Sequence, residues 1–163
     1  KLTRRQHTFQ PLKKIMLEKG AKKEITWVIC KYPTEAGAQK AGMSLDAYST
    51  FIQNACFLKD EDPVNSWQQL GQQQQVVTDR LNQSSEFHYK GPNIDIRFST
   101  KGRTWINSDG KRNMPSGEIF TSPVEDSVNG HVLFSYPVYY LGKEIGGVYL
   151  EVENGKEIGR AHV

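Results

Sequence analysis

The sequence predicts an α/β protein of the α+β kind, with a helical and strand-containing part first and a mainly antiparallel β part after it. Two observations support this class. Apolar residues recur at helical spacing in several segments up to residue 81. From residue 90 onward apolar and polar residues instead alternate, with turn-forming Asn-Gly and Asp-Gly pairs between the alternating runs.

The first elements are a helix and a strand. A helix is expected over Pro11–Lys19, closed by Gly20, because glycine is the common residue just past a helix end. The run EITWVICKYP, residues 24–33, predicts a buried strand. Pro33 should end it, since proline cannot donate a hydrogen bond to a neighbouring strand.

A second helix is predicted in MSLDAYSTFIQNACFL, residues 43–58, with Ser44 as its N-cap. The apolar face at helical spacing consists of Leu45, Tyr48, Ile52, Ala55 and Cys56.

A third helix should begin at Asp62-Pro63, a capping residue followed by a proline in the first turn. The glutamine-rich run at 68–75 is interpreted as its polar face, because glutamine is a good helix former. The apolar positions are Val64, Trp67, Leu70, Val77 and Leu81.

The β part begins with NIDIRFST, residues 93–100, which alternates like a strand with one wet face. Further strands are predicted at Thr104–Ile106, His131–Tyr140 and Gly147–Val152, with turns at 108–110, 129–130 and 154–155. The polar run at 84–92 predicts a domain boundary. We expect residues 1–88 to be the C-terminal portion of an N-terminal α/β domain and residues 89–156 to be the first β part of the next domain. Residues 157–163 are expected to be an adapter-derived artefact.

The extraneous end is inferred from its codons. Residues Ile158 to Val163 match what a common sequencing-library adapter encodes when it is read as ATC GGA AGA GCA CAC GTC, which in the adapter is followed by a stop codon. His162 therefore receives no weight as a ligand. The chain also begins with Lys1 rather than Met, which predicts a trimmed protein or a portion of a longer one.

Composition excludes several classes. No stretch approaches the ~20 apolar residues of a membrane span, and the first residues lack a signal-peptide core, so a cytoplasmic protein without membrane contact is predicted. Cys30 and Cys56 form no CxxC pair and are expected to be buried and reduced. Residues 1–31 carry nine Lys or Arg against two Glu, a net +7. Because no aromatic residues alternate with these lysines, a solvated helix face is favoured over nucleic-acid binding.

Residue patterns alone leave the chemistry open. There is no GxSxG elbow, phosphate-binding glycine loop or HExxH motif. The remaining candidates are Glu118, Glu125 and Asp126, followed by His131. Carboxylate oxygens suit hard divalent cations, yet the same spacing is found in ordinary surface turns.

A longer motif favours a metal site over an ordinary surface turn. The run WINSDGKRNMPSGEIFTSPVEDSVNGHVLFSYP, from Trp105 to Pro137, resembles the M29 family of metalloaminopeptidases, whose pattern is N-P-x-G-E-x-F-T-x-P-x-E-x-S-x-x-G. Upstream, the YPT segment at 32–34 and the D-P-x-x-x-W pattern from Asp62 to Trp67 are similar as well. The resemblance covers roughly residues 25–155.

The resemblance implies a metalloexopeptidase that removes N-terminal residues from peptides, using two neighbouring divalent ions (Zn, Co, Mg or Mn) and working as a homodimer when intact. It places one metal ligand on Glu118, with Pro115, Gly117 and Pro123 setting the loop geometry. The other ligands lie in later segments of the family, so the catalytic residues stay unknown and the chain alone is expected to be inactive. Asp126 and Ser127 are expected to form a turn, and His131 to be a packed or surface residue. The alternative is a non-catalytic β-domain that binds a peptide or protein partner through its loops.

Overall fold

A computed structural model describes residues 2–140 and 143–162 of the chain. It separates into two compact units. The first unit holds the described residues up to Gln68 together with Ser108–Ser116, and the second holds Gln69–Asn107 together with the described residues from Gly117 onward. The predicted boundary between residues 88 and 89 concerns the domains of a longer family protein, and it stays a prediction.

The first helix, α1, spans Leu2–Ala21 and contains Pro11 in its interior. The predicted start at Pro11 is therefore wrong, because the polar residues before the proline are also helical. The following strand, β1, covers only Ile29–Cys30. It is exposed rather than buried, since it pairs with a single short strand and leaves 63% of Ile29 accessible. The expectation that both cysteines are buried is therefore wrong for Cys30, which is exposed, and right for Cys56.

Two capped helices form the centre of the first unit. Helix α2 (Glu35–Lys40), which the sequence did not predict, begins after Thr34, whose hydroxyl accepts a hydrogen bond from the Gly37 amide. Helix α3 (Leu45–Ala55) begins after Ser44, whose hydroxyl accepts from the Ala47 amide at 3.2 Å. The predicted N-cap is thus confirmed.

The core of the first unit is small. It consists of Ala38, Tyr48, Ile52 and Cys56, with Met114 packed against them. Trp67 donates its ring Nε1–H to the carbonyl oxygen of Cys56 at 3.0 Å. Three of the five predicted face positions of α3 are buried, whereas Ala55 is half-buried and Leu45 remains 41% exposed.

Helix α4 spans Pro63–Asn82, and the Asp62 carboxylate caps it by accepting from the Asn65 amide at 3.0 Å, as predicted. Its buried face differs from the prediction. Gln74 and Thr78 are buried, whereas Val64 and Val77 are exposed. The glutamine run is therefore not wholly a polar outer face, because Gln74 lies on the inward side.

The second unit contains a five-stranded antiparallel sheet in the order β11-β10-β7-β3-β2. Short pairs of strands accompany it, namely β4 with β6 and β8 with β9, while β1 and β5 pair in parallel in the first unit. The strands are β2 (Glu86–Gly91), β3 (Ile94–Ser99), β4 (Ile106–Ser108), β5 (Asn113–Met114), β6 (Glu118–Phe120), β7 (Asn129–Phe134), β8 (Val138–Tyr140), β9 (Lys143–Ile145), β10 (Val148–Glu153) and β11 (Lys156–His162).

Apolar and polar residues alternate between the two faces of the main sheet, as the sequence predicts. Ile94 pairs with Val132, which pairs with Leu150, and this row lies on one face. Asp95 pairs with His131, which pairs with Glu151, and this row lies on the other. The predicted wet face of β3 is thereby confirmed, since directly opposed residues point to the same side.

The turn predictions were right at one Asn-Gly pair and wrong at the other. Asn154 and Gly155 join β10 to β11 with φ values of 50° and 73°, as a two-residue hairpin turn requires. Asn129 and Gly130 instead open β7. Glycine is needed there because an added Cβ would lie 2.0 Å from the Asp95 carbonyl oxygen.

Other strand bounds also shifted. The predicted strand His131–Tyr140 is divided into β7 and β8, and the polar run at 84–92 contains β2. Strand β11 includes most of the end expected to be adapter-derived, while Val163 lies outside the described residues. Strand pairing does not test the origin of those codons, so that origin stays a prediction.

Candidate functional site

The motif segment Asn113–Gly130 is a chain of short elements rather than one loop. It contains β5, then β6, then a 3-10 turn at Glu125–Ser127, and it ends in the first residues of β7. Each candidate carboxylate therefore has a defined backbone position, with Glu118 on a strand and Glu125 and Asp126 on a turn.

Glu118 is the first residue of β6, and its side chain is exposed. The residue before it, Gly117, has φ +105°, a backbone conformation that residues with a Cβ rarely adopt. The expected backbone freedom of Gly117 is thus confirmed. Further upstream, the Ser116 hydroxyl donates to the Ser108 carbonyl oxygen at 2.8 Å and closes the loop that connects β4 to this segment.

Glu125 is engaged by a cation that sequence reasoning missed. Arg103 Nη2 donates to Glu125 Oε2 at 2.7 Å. A hydrogen bond from its own backbone amide, together with the Arg103 charge, lowers the pKa of the Glu125 carboxyl below its usual range. The two residues are 22 positions apart, so no local pattern could have indicated the pair. Glu125 therefore acts here as a surface ion-pair partner.

Ser127 fixes the 3-10 turn against β3. Its hydroxyl accepts from the Ser99 amide at 2.9 Å and donates to the Val124 carbonyl oxygen at 2.6 Å. The Val124 amide also donates to the Ser99 carbonyl at 2.8 Å. The prediction that Asp126 and Ser127 belong to a turn is confirmed, with Ser127 making the contacts and Asp126 exposed.

His131 lies on the wet face of β7, where its ring stacks on Tyr149 with centroids 5.8 Å apart. Its side chain is exposed. The prediction of a packed or surface histidine therefore agrees with its position.

The candidate carboxylates do not form a complete metal-binding site among the described residues. Among the residues that the structure describes, no group of three or more His, Cys, Asp or Glu side chains could hold a metal ion. Divalent ions in catalytic sites need several protein ligands each. The described part of the chain therefore does not assemble a site of that kind around Glu118.

The second unit also carries an open apolar hollow. It has a volume of about 430 Å³ and lies on the apolar face of the main sheet, beside β6. Ile119 and Phe120, which directly follow Glu118, contribute to its wall. Its aromatic lining residues are Tyr89, Phe98, Trp105, Phe120 and Phe134.

Within the described residues, no helix is both long enough and apolar enough to cross a membrane. This finding agrees with the absence of a long apolar run in the sequence.

Comparison with known proteins identifies the family of this α+β chain. The family described as thermophilic metalloprotease (M29) matches residues 1–160, so the chain belongs to it. The resemblance seen in the sequence is thereby confirmed.

Named relatives support the assignment. Aminopeptidase PepS of Streptococcus thermophilus is 26% identical over 141 residues, which cover 80% of this chain and 33% of the relative. Aminopeptidase 2 of Geobacillus stearothermophilus is 27% identical over 150 residues, covering 81% of this chain and 36% of the relative. The chain therefore spans about a third of the length of the curated relatives that it matches.

A solved structure confirms the fold class. Wild-type AmpT from Thermus thermophilus superposes with a TM-score of 0.57 over 75% of this chain and 33% of that one, at 22% sequence identity. At this identity the likeness concerns the fold.

Proposed function

We propose that this chain is part of a metal-dependent aminopeptidase that releases N-terminal amino acids from peptides, and that Glu118 is one of its metal ligands. The observation that carries the proposal is the position of Glu118. It is an exposed carboxylate on β6, directly after a positive-φ glycine, within a motif characteristic of the family to which the chain belongs. The relatives named above are aminopeptidases.

The other carboxylates of the segment are less suitable ligands. Glu125 is already paired with Arg103, and Asp126 lies in the same turn. Moving Glu125 to a metal would separate it from its guanidinium partner, whereas no such ion pair involves Glu118 among the described residues. The geometry therefore favours Glu118 within this segment.

The chain by itself is proposed to be inactive, because no group of three or more His, Cys, Asp or Glu side chains that could hold a metal ion lies among the described residues. In metallopeptidases a pair of divalent ions activates water and polarises the scissile carbonyl. Glu118 would contribute one negative charge and one oxygen donor toward such ions. Zn, Co, Mg and Mn all remain compatible with carboxylate ligation. We further propose a cytoplasmic protein that is a homodimer when intact.

The ligand assignment is tested by Glu118→Gln in a full-length family protein that contains this sequence. The amide keeps the shape of the side chain but removes its charge, so we expect metal affinity to fall at least about tenfold. Replacing a residue that only supports a metal ligand lowers metal affinity about 10–100-fold, so loss of a ligand should lower it no less. Metal content is measured by mass spectrometry of the purified protein. Amino-acid release is measured on one peptide with a free N-terminus and on its acetylated form.

The matched control is Asp126→Asn, which neutralises an exposed carboxylate eight positions further along the chain. It should leave metal content and peptide hydrolysis unchanged. Equal metal content and activity in Glu118→Gln and the unmodified protein would refute the assignment. Peptide hydrolysis by the 163-residue chain alone would contradict its proposed inactivity.

The apolar hollow favours one alternative, a β-domain that binds peptides without hydrolysing them. Its volume and aromatic lining suit apolar side chains. Under this alternative, Ile96→Asp at the hollow should weaken binding of an apolar peptide to the chain, measured by calorimetry, while Glu118→Gln should not. If the apolar peptide does not bind to the unmodified chain, this alternative is refuted.

A further inference from the structure

Strand β1 has one paired edge and one open edge. On the paired edge, the Ile29 amide donates to the Arg112 carbonyl oxygen at 2.7 Å. The Lys31 amide likewise donates to the Met114 carbonyl oxygen at 2.7 Å. Successive backbone amides of a strand point to opposite edges, so the amide and carbonyl of Cys30 face away from β5. Among the described residues β1 has no second strand neighbour, which leaves this edge available to another strand.

An apolar hollow adjoins this strand. It has a volume of about 350 Å³ and is lined by residues of α1 and by residues in and before β1. Ile29 belongs both to β1 and to the wall of the hollow, so the open edge and the hollow form one surface, called here the β1 surface. The lining residues of the hollow are Lys13, Met16, Leu17, Trp27, Val28 and Ile29.

The exposure of the β1 surface conflicts with its sequence. Residues 24–33 have the apolar content of a buried strand, and parallel strands occur almost only in sheets whose faces are covered. The parallel pair of β1 and β5 is nevertheless only two residues long, and Val28 and Ile29 are exposed. Since an isolated pair of strands is marginally stable in water, the β1 surface needs a covering that the described residues do not supply.

The length of the relatives indicates where such a covering comes from. The match to Aminopeptidase PepS spans 33% of that protein, and the match to Aminopeptidase 2 spans 36%. Most of the polypeptide of each relative therefore lies outside the region that resembles this chain.

We propose that the β1 surface docks a segment of a longer family chain that lies outside these 163 residues. The segment adds a strand along the open edge of β1 and places an apolar side chain in the hollow. Main-chain hydrogen bonds to Cys30 attach it, as in other cases in which an added strand extends a sheet. The proposal rests on the proposed function only in taking this chain to be part of a longer family protein.

Charge further defines the docking segment. Lys13 lines the hollow, and the Arg112 guanidinium carbon lies 5.5 Å from the centre of the Trp27 ring, which also lines it. Neither cation takes part in an ion pair among the described residues. We therefore expect the segment to carry a carboxylate beside its apolar residues. A second copy of this chain fits less well, because residues 1–31 carry a net +7 and like charges would meet.

The test compares the 163-residue chain with a full-length family protein that contains it, by hydrogen exchange resolved by residue. In the chain alone, the Cys30 amide should exchange rapidly, whereas the Ile29 and Lys31 amides are protected by their bonds to β5. In the full-length protein, the Cys30 amide should exchange at least about tenfold more slowly. The Ile29 and Lys31 amides are the matched controls, because they should be protected in both proteins.

Alkylation by iodoacetamide provides a second readout. The Cys30 thiol is exposed in this chain, so a docked strand should slow its alkylation at least about tenfold in the full-length protein. The buried Cys56 thiol is the control and should react slowly in both proteins. Equal exchange and equal alkylation of Cys30 in the two proteins would overturn the proposal. A Cys30 amide that is already protected in the chain alone would overturn it as well.

The source of the docking segment is identified by crosslinking in the full-length protein. Val28→p-benzoylphenylalanine places a photoreactive group at the wall of the hollow. After irradiation, peptide mapping should show a link to the same polypeptide, outside the 163-residue sequence. Links only to a second copy, seen as covalent dimers, or only within the 163 residues would overturn the proposal.

The outcome is separable from that of the proposed function. Exchange, alkylation and crosslinking depend neither on bound metal nor on peptide hydrolysis, so a failed ligand assignment for Glu118 leaves their results unchanged. The crosslink is read in the full-length protein alone, so it still decides the question if the 163-residue chain does not fold by itself.

Discussion

Asn82, the last residue of α4, binds the backbone of Trp105 with its side-chain amide. The Trp105 amide donates to Asn82 Oδ1 at 2.8 Å, and Asn82 Nδ2 lies 3.5 Å from the Trp105 carbonyl oxygen. Two residues further along, Asn107 Nδ2 donates to the Gly71 carbonyl oxygen at 2.8 Å. Side-chain amides thus attach the strand segment before β6 to the helix within the second unit.

Replacing Asn82 with leucine should lower the free energy of unfolding by about 1–3 kcal/mol, because the part-buried Trp105 amide loses its acceptor. Chemical denaturation followed by circular dichroism measures the change. The control is Gln72→Leu at an exposed position of the same helix, which should change stability by less than about 0.5 kcal/mol. Equal effects of the two substitutions would show that the Asn82 amide is not the anchor.

Gly130→Ala should destabilise the chain by about 3 kcal/mol, since the backbone has φ +125° and the new Cβ would overlap the Asp95 carbonyl oxygen. Strands β3 and β7 would have to separate to admit it. The control is Gly146→Ala, where an added Cβ meets no atom within 4 Å. Thermal unfolding should show a large drop in Tm for the first variant only, and a normal Tm for Gly130→Ala would contradict the strand register described above.

The pair formed by His88 and Asp95 should make stability depend on pH. His88 Nε2 lies 2.8 Å from Asp95 Oδ1. The hydrogen bond to His88, and then the charges of His88, Lys90 and Arg97, lower the pKa of Asp95 below its ordinary value of 3.8. Because the folded pKa is the lower one, the contribution is fully present above the unfolded pKa and is lost as pH falls through the folded pKa.

Asp95→Asn should therefore lower Tm at pH 5 and lose most of this effect below the folded pKa of Asp95. A double-mutant cycle with His88→Gln isolates the pair from other charges on the sheet. The coupling measured by the cycle should shrink as the carboxylate is protonated. A coupling that stays constant from pH 5 to strongly acidic conditions would refute the pairing.

Ser44→Ala should cost about 1 kcal/mol of stability, because the Ala47 amide at the start of α3 loses its side-chain acceptor. Thr50→Ala, at an exposed position in the same helix, provides the control and should be neutral or slightly stabilising, since alanine has the higher helix propensity. Urea denaturation of both variants measures the difference. Equal losses would indicate that capping does not explain the role of Ser44.

Features that depend on near neighbours in the chain could be predicted from the sequence. The caps at Ser44 and Asp62, the Asn154-Gly155 turn and the alternation in β3 are local. Each follows from backbone geometry and hydrogen bonding within a few residues. The family resemblance and the candidate ligand Glu118 were likewise available, because the motif around them is contiguous.

Burial and the pairing of distant charges could not be predicted in the same way. Asn129-Gly130 has the composition of a turn, yet it lies in strand β7. Glycine is required at position 130 because the backbone of Asp95, on the neighbouring strand, approaches too closely for a side chain. The Arg103–Glu125 pair and the pairing of Cys30 with Met114 likewise join residues far apart in sequence. Such contacts depend on how strands and helices are placed in space, which local spacing does not encode.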